Sequence, residues 1–450
     1  MPVMPPGGAP KRMVDTRLRH LGSIDPEEWP GVATVPDAVL MSVRARQAEA
    51  RFARACESAG LELLGDEPDL TIDHEELFPR LAASGWLGLA ESFMAGEWRS
   101  DKLADVLAGL IQAGFRPRGR LTPTVGLPDG TQDNGGALPG ELIRLSSGDG
   151  MSAFGGVFAS GVPTTLRTAV KSFVPGAGRN REPGSHFVDV THIADPVAVE
   201  REDLGEAQRR AAARLLDAAR VRAGSHLLEY PASGGALSIL AARRNATVDV
   251  LTADESQVPG LSELLILAGV DNDVHIRAIP RAIPGREDWG GSYDAIVSME
   301  KLEVVGTSGA KRYIKALDRM LATGGYVAMQ SLVATDQLGP IGREALGVLR
   351  AYIWPALKFP TMQEIHQLAD RESSLRVVAE VHFPGHYLKS VQLQREIFEG
   401  QMREAAADGF DAVFRRMWVY HYALIEALLR LGHLDAAQFT LTTRNRRGRR

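Results

Sequence analysis

From Gly205 to Thr443 the chain alternates short apolar runs with stretches of helical spacing, and this alternation limits the fold more than any other feature. The runs "SHLLEY", "TVDVLTA", "DVHIRAI", "YDAIVSM", "GYVAMQSLV", "LRVVAEVHF" and "AQFTLTT" read as strands. Between them, "GEAQRRAAARLLDAARV", "ALSILAARR", "GLSELLILAGV" and "AKRYIKALDRMLAT" read as helices. Strands that are apolar throughout and separated by helices belong to a parallel sheet covered on both faces. The sequence therefore predicts an α/β, doubly wound, Rossmann-like sheet with a final hairpin strand. Ligands of such sheets sit beyond the carboxyl ends of the strands, near the first strand-to-helix turn. Here that turn is "EYPASGGA", starting at Glu229.

The flanking segments differ in character. Residues 1–35 are rich in Pro, Gly and charge and read as disordered. Residues 36–113 carry helical patterns interrupted at Gly85 and Gly96, which predicts a small, mainly helical N-terminal domain. Residues 114–203 are dense in turn formers and read as a linker or cover, with one helix embedded in "MSAFGGVFASGVPTTLRTAVKSF". The Rossmann-like domain then spans 204–443. The basic tail "RNRRGRR" over 444–450 reads as a solvated, disordered end, or as a segment drawn to anionic lipid headgroups.

Composition excludes several classes. A net charge of −5 argues against a general nucleic-acid binder. The single cysteine, Cys56, rules out a disulfide framework and a cysteine metal cluster. His382, His386 and His421 lack a metal-ligand spacing, so no metal is expected. No apolar leader and no run of about 18 apolar residues is present, so the expected location is the cytoplasm.

Several segments share one resemblance. These are "GWLGLAESFMAGEW" (85–98), "YDAIVSMEKLEVVG" (293–306), "GYVAMQS" (325–331), "YIWP" (352–355), "PGHYLKSV" (384–391) and "GFDAVFRRMWVYHYALIEA" (409–427). Together they resemble the cyclopropane-fatty-acid synthases and the related mycolic-acid and tuberculostearic-acid-type fatty-acid methyltransferases. The resemblance implies a class I methyltransferase domain preceded by a small helical domain. It also implies methyl transfer from S-adenosylmethionine to an unsaturated acyl chain of a phospholipid, with a bound bicarbonate as base. Contact with the inner face of the membrane follows from such substrates.

Position by position, the resemblance assigns Glu303 and Tyr387 to the base site. It assigns Glu229, Ser233, Gly234, Gly235, Thr252 and Gln257 to the cofactor. The sequence also departs from the family pattern. Pro231 and Ser233 stand where glycines are expected, Val304 replaces a histidine, and "AIPRAIP" replaces the stretch whose acid approaches the adenine. Proline removes a backbone donor, and serine adds a side chain where backbone should approach the ligand. A second reading thus stays open: a catalytically silent relative that binds lipid or a partner methyltransferase.

Overall fold

The computed structural model describes residues 16–117, 138–179 and 182–444. Its centre is a nine-stranded sheet. In chain order the strands are β1 (Pro163–Lys171), β2 (Ser185–Ile193), β3 (His226–Glu229), β4 (Thr247–Thr252), β5 (Val274–Ala278), β6 (Tyr293–Met299), β7 (Leu321–Ala334), β8 (Leu375–His382) and β9 (Leu434–Thr443). Across the sheet the order is β1-β2-β8-β9-β7-β6-β3-β4-β5.

Strands β5, β4, β3, β6 and β7 pair in parallel, and β9 inserts antiparallel between β7 and β8. The order reverses at β3, whose Glu229 lies opposite Val250 of β4 and Val297 of β6. This is the crevice where a doubly wound sheet takes its ligand. Strands β3, β4 and β6 are nearly all buried because helices cover both faces, which is why they read as continuous apolar runs, whereas the edge strand β5 is largely exposed.

The region 114–203 needs correction. Its expected helix over 151–173 is absent; Pro163–Lys171 is strand β1, which pairs antiparallel with β2 and extends the sheet beyond β8. Gly161 with φ +102 and Pro163 prevent a helix from forming there, and Thr164, Thr165, Thr168 and Val170 favour extended backbone. Strand β1 is exposed on both faces, so it lacks the alternation that would have marked it. A short helix does form upstream, at Gly140–Ser146.

The N-terminal boundary also moves. Residues 1–15 lie outside the described part, but from Thr16 onward the chain is folded, with a 3-10 helix at Thr16–Ser23 and a helical turn at Pro30–Ala33. The buried Arg80 holds this segment. Its guanidinium donates to Gly31 O at 2.8 Å, Thr34 O at 3.1 Å and Val32 O at 2.6 Å, while its Nε bonds Glu97 at 2.9 Å. Trp29 Nε1 donates to Asp411 Oδ2 at 2.8 Å, just before the helix Ala412–Arg430. The N-terminal helices thus share one buried cluster with a face of the sheet. Of the basic tail, only Arg444 is described; it bonds Asp370 O at 2.8 Å and Ser373 O at 2.6 Å. Among the described residues, no helix is long and apolar enough to cross a membrane.

Candidate active site

The first strand-to-helix turn folds against itself. The Glu229 carboxylate accepts the backbone N–H of Ser233 at 2.8 Å, its hydroxyl at 2.6 Å, and the hydroxyl of Ser238. Burial raises the Glu229 pKa, and these hydrogen bonds oppose the rise. Ser233 therefore occupies its own chain's carboxylate as donor. Gly234 and Gly235 follow at φ +106 and +108, which side-chain-bearing residues rarely adopt. A Cβ on Gly234 would lie 2.2 Å from Met151 O, and one on Gly235 would lie 2.9 Å from Leu261 Cδ1. The backbone approach that glycine allows at Gly234 is thus made by the chain itself.

The approaching segment is 148–158. Gln208 Nε2 donates to Ser152 O at 3.1 Å and Phe154 O at 2.9 Å, and its Oε1 accepts from Gly148 N at 2.9 Å. Ala153 N reaches Ser233 O at 3.2 Å. At the end of β4, Thr252 Oγ1 donates to Gln257 Oε1 at 2.9 Å, and Gln257 Nε2 donates to Leu138 O at 2.6 Å. Thr252 and Gln257 therefore bracket the turn 253–256 while being bonded to each other and to the covering chain.

Two spaces open at the strand ends. The first is an open groove, lined by Ala253–Ser256 after β4, by Ile279–Ile283 after β5, and by Arg312. The second is a more enclosed cavity. Its floor is Pro231, Ala232 and Ser233 of the first turn, with Met299 and Glu300 at the end of β6 and Leu332 of β7. Tyr387 and Val391 enter from the helix Pro384–Gly400, and Trp418, His421 and Tyr422 from Ala412–Arg430. The first turn lies between the two spaces: Ala232 N bonds Leu251 O in β4, while Ala232 itself lines the cavity.

Aromatic and aliphatic side chains dominate the cavity, yet two carboxyls line it. Glu303 accepts from Ser331 Oγ at 2.7 Å and from Leu332 N at 3.0 Å. Burial, and next the charge of Glu300, push its pKa up to about 8. Tyr387 does not bond Glu303; its hydroxyl donates to Glu300 Oε1 at 2.8 Å. Gln330 Nε2 donates to the same oxygen at 3.1 Å, and the Gly155 backbone also supports Glu300. Burial raises the Glu300 pKa, and these donors oppose it. Among the described residues, the cavity lining contains no Lys or Arg, and burial holds His421 down to about 3, so its imidazole is neutral.

The structure thus brings Glu303 and Tyr387 into one cavity, floored by Ser233. It places Glu229, Gly234, Gly235, Thr252 and Gln257 around the adjoining turns. Sequence reasoning missed Glu300 and Gln330, although both lie inside quoted segments, "SMEKLE" and "AMQS". The signal was there: Glu300 and Glu303 are three residues apart just past a strand end, close enough to serve one site.

Comparison with known proteins shows the family of the chain. Residues 197–439 match the family described as mycolic acid cyclopropane synthetase. The tuberculostearic acid methyltransferase UfaA1 of Mycobacterium tuberculosis is 30% identical, over 95% of this chain and 98% of that one. Among solved structures, the cyclopropane synthase MmaA2 of Mycobacterium tuberculosis aligns at 20% identity and a TM-score of 0.48, covering 54% of this chain and 87% of that one. The apo form of the mycolic acid cyclopropane synthase CmaA1 aligns at 18% identity and a TM-score of 0.49, covering 68% and 99%. With a family match over more than half its length and a relative aligned almost end to end, the chain belongs to the mycolic acid cyclopropane synthetase family.

Proposed function

We propose that the protein transfers a methyl group from S-adenosylmethionine to the double bond of an unsaturated lipid acyl chain, and then removes a proton to leave a ring or a branch. The observation that carries this reading is the apolar, aromatic cavity holding two carboxyls beside the first strand-to-helix turn. An acyl chain suits such walls, because burying it costs no polar desolvation. A carbocation formed there meets few nucleophiles and a nearby proton acceptor. Holding two carboxyls out of water costs several kcal/mol in general. A silent scaffold would gain nothing in return.

The nucleoside end of the methyl donor fits the open groove. Ile279, Ala282 and Ile283 offer apolar walls for a purine, and Asp254 offers a carboxylate for a ribose diol. Thr252 and Gln257 fix the turn that carries Asp254, and Gly235 gives the first turn its shape. When bound, the donor supplies an electrophilic methyl group on a sulfonium.

Bicarbonate fits less well as the base. The space beside Tyr387 already holds the Glu300 carboxylate, Val304 stands where a histidine is expected, and among the described residues no cation lines the cavity to balance an added anion. We place the protein in the cytoplasm at the inner face of the membrane, where phospholipid acyl chains are within reach.

The test incubates purified protein with vesicles of a monounsaturated phosphatidylethanolamine and S-adenosylmethionine. The acyl chains gain the mass of one methylene, and adenosylhomocysteine accumulates in equal amount. Unchanged chains, with no heat on titrating the donor into the protein, would defeat the reading.

A further inference from the structure

Glu300 is the residue whose geometry the proposed reaction leaves unexplained. It is a non-glycine residue at φ +51. A side chain in that region is strained, and such residues persist only where their surroundings hold them. Here the hold is specific: Glu300 N donates to Gln330 O at 2.8 Å, and Gln330 Nε2 returns to the Glu300 carboxylate at 3.1 Å. Gln330 is itself fixed, since its Oε1 accepts from Gln438 Nε2 at 3.0 Å. Gly155 completes the clamp, because a Cβ there would lie 2.6 Å from the Tyr387 ring. Four separate parts of the chain thus aim one carboxylate into the acyl cavity.

We propose that Glu300 is the proton acceptor of the reaction, so that the chain itself supplies the carboxylate that the family resemblance assigns to bicarbonate. This rests on the methyl-transfer reading above. The alkene π pair bonds to the methyl carbon, whose bond to sulfur breaks with its electrons going to sulfur, so the sulfonium becomes a neutral thioether. The neighbouring acyl carbon becomes a carbocation. An adjacent C–H bond then breaks, and its electron pair closes a C–C bond or forms a double bond. The proton goes to the Glu300 carboxylate and later to solvent.

Glu303, Tyr387, Tyr422 and His421 face Glu300 or share its cavity. Glu303 keeps its proton at neutral pH, Tyr387 and Tyr422 are held up by burial, and His421 is neutral. Glu300 receives Tyr387, Gln330 and Gly155, and these donors favour its charged form against the rise that burial imposes.

The test compares the wild-type protein with E300Q and E300G in buffer stripped of carbon dioxide, each with vesicles and donor. The wild-type rate is expected to be unchanged by the stripping. E300Q loses roughly 10²–10⁴-fold in rate, the range expected for a missing general base. It is expected to bind donor and vesicles as the wild type does, and to release some acyl chains hydroxylated by water captured at the carbocation. E300G, whose glycine accepts the φ at no cost, regains rate on adding acetate or bicarbonate, and it keeps the proposal testable if E300Q does not fold. The proposal fails if E300Q stays within a few-fold of wild type, or if the wild-type rate collapses without carbon dioxide. A wild type that methylates nothing removes this inference and the proposed function together. A wild type that methylates while E300Q matches it removes this inference alone.

Discussion

The groove after β4 and β5 and the cavity after β6 and β7 sit on the same sheet, one on each side of the first turn, but they are built differently. The groove is open and polar at its rim, with Asp254, Glu255, Arg281 and Arg312 reaching solvent. The cavity is walled by Trp354, Trp418, Phe359 and Tyr422 around two carboxyls that burial has pushed upward. Charges in the groove are screened and interact weakly. Charges in the cavity interact strongly, because little water competes with them. The groove should therefore govern affinity for the donor, and the cavity should govern the rate and its pH dependence.

That division can be broken experimentally. In the cavity, Tyr387→Phe removes a hydroxyl donor from the Glu300 carboxylate, and kcat is expected to fall roughly 10–100-fold, the value of a hydrogen bond to a charged group. The lost bond had favoured the charged form, so the Glu300 pKa rises and the rate is recovered only at higher pH. A pH–rate profile that merely drops, without moving, would make Tyr387 a packing residue. In the groove, Asp254→Ala is expected to raise KM for the donor about tenfold and leave kcat alone. A change in kcat instead would mean the two regions are not separate.

Smaller effects sharpen the comparison through stability. The folded-state pKa of Glu303 is about 8 against an ordinary 4.5, so the native state holds a proton that the unfolded chain has released across that window. Its contribution is present below pH 4.5 and lost as pH rises toward 8. Glu303→Gln should therefore melt progressively higher than wild type as pH rises through that range, by roughly 2–4 °C per kcal/mol. A constant difference would place Glu303 in contact with water. The smallest effect is expected at Gly260 in the helix Gln257–Ala268, where an added Cβ meets nothing within 4 Å. Gly260→Ala should stabilise by about 0.5–1 kcal/mol and leave both kinetic constants unchanged.

Sequence reasoning reached some parts of the molecule and not others, for physical reasons. The parallel strands were readable because burial on both faces leaves continuous apolar runs such as "HLLE" and "YDAIVSM". Strand β1 was not, because its side chains are exposed and only its backbone bonds to β2 define it. Residues 16–35 looked too polar to fold, yet they are fixed by Arg80 and Asp411, partners that lie far along the chain. Glu303 and Tyr387 could be named from motif positions, whereas their separation into different hydrogen-bond sets depends on the register that puts Gln330 and Ser331 at the end of β7. The unusual letters Pro231 and Ser233 were visible, but not that Ser233 would bond Glu229 and leave the turn intact.

The most direct measurement follows the fate of a trideuterated methyl group supplied on S-adenosylmethionine to monounsaturated phospholipid vesicles and the purified protein. Mass spectrometry of the released fatty acids should show a labelled chain one carbon larger, which has lost a single deuterium where the transferred methyl closes a ring or becomes a methylene branch and keeps all three where the proton leaves the acyl chain. Chains that stay unlabelled at every protein concentration would contradict the account at its base.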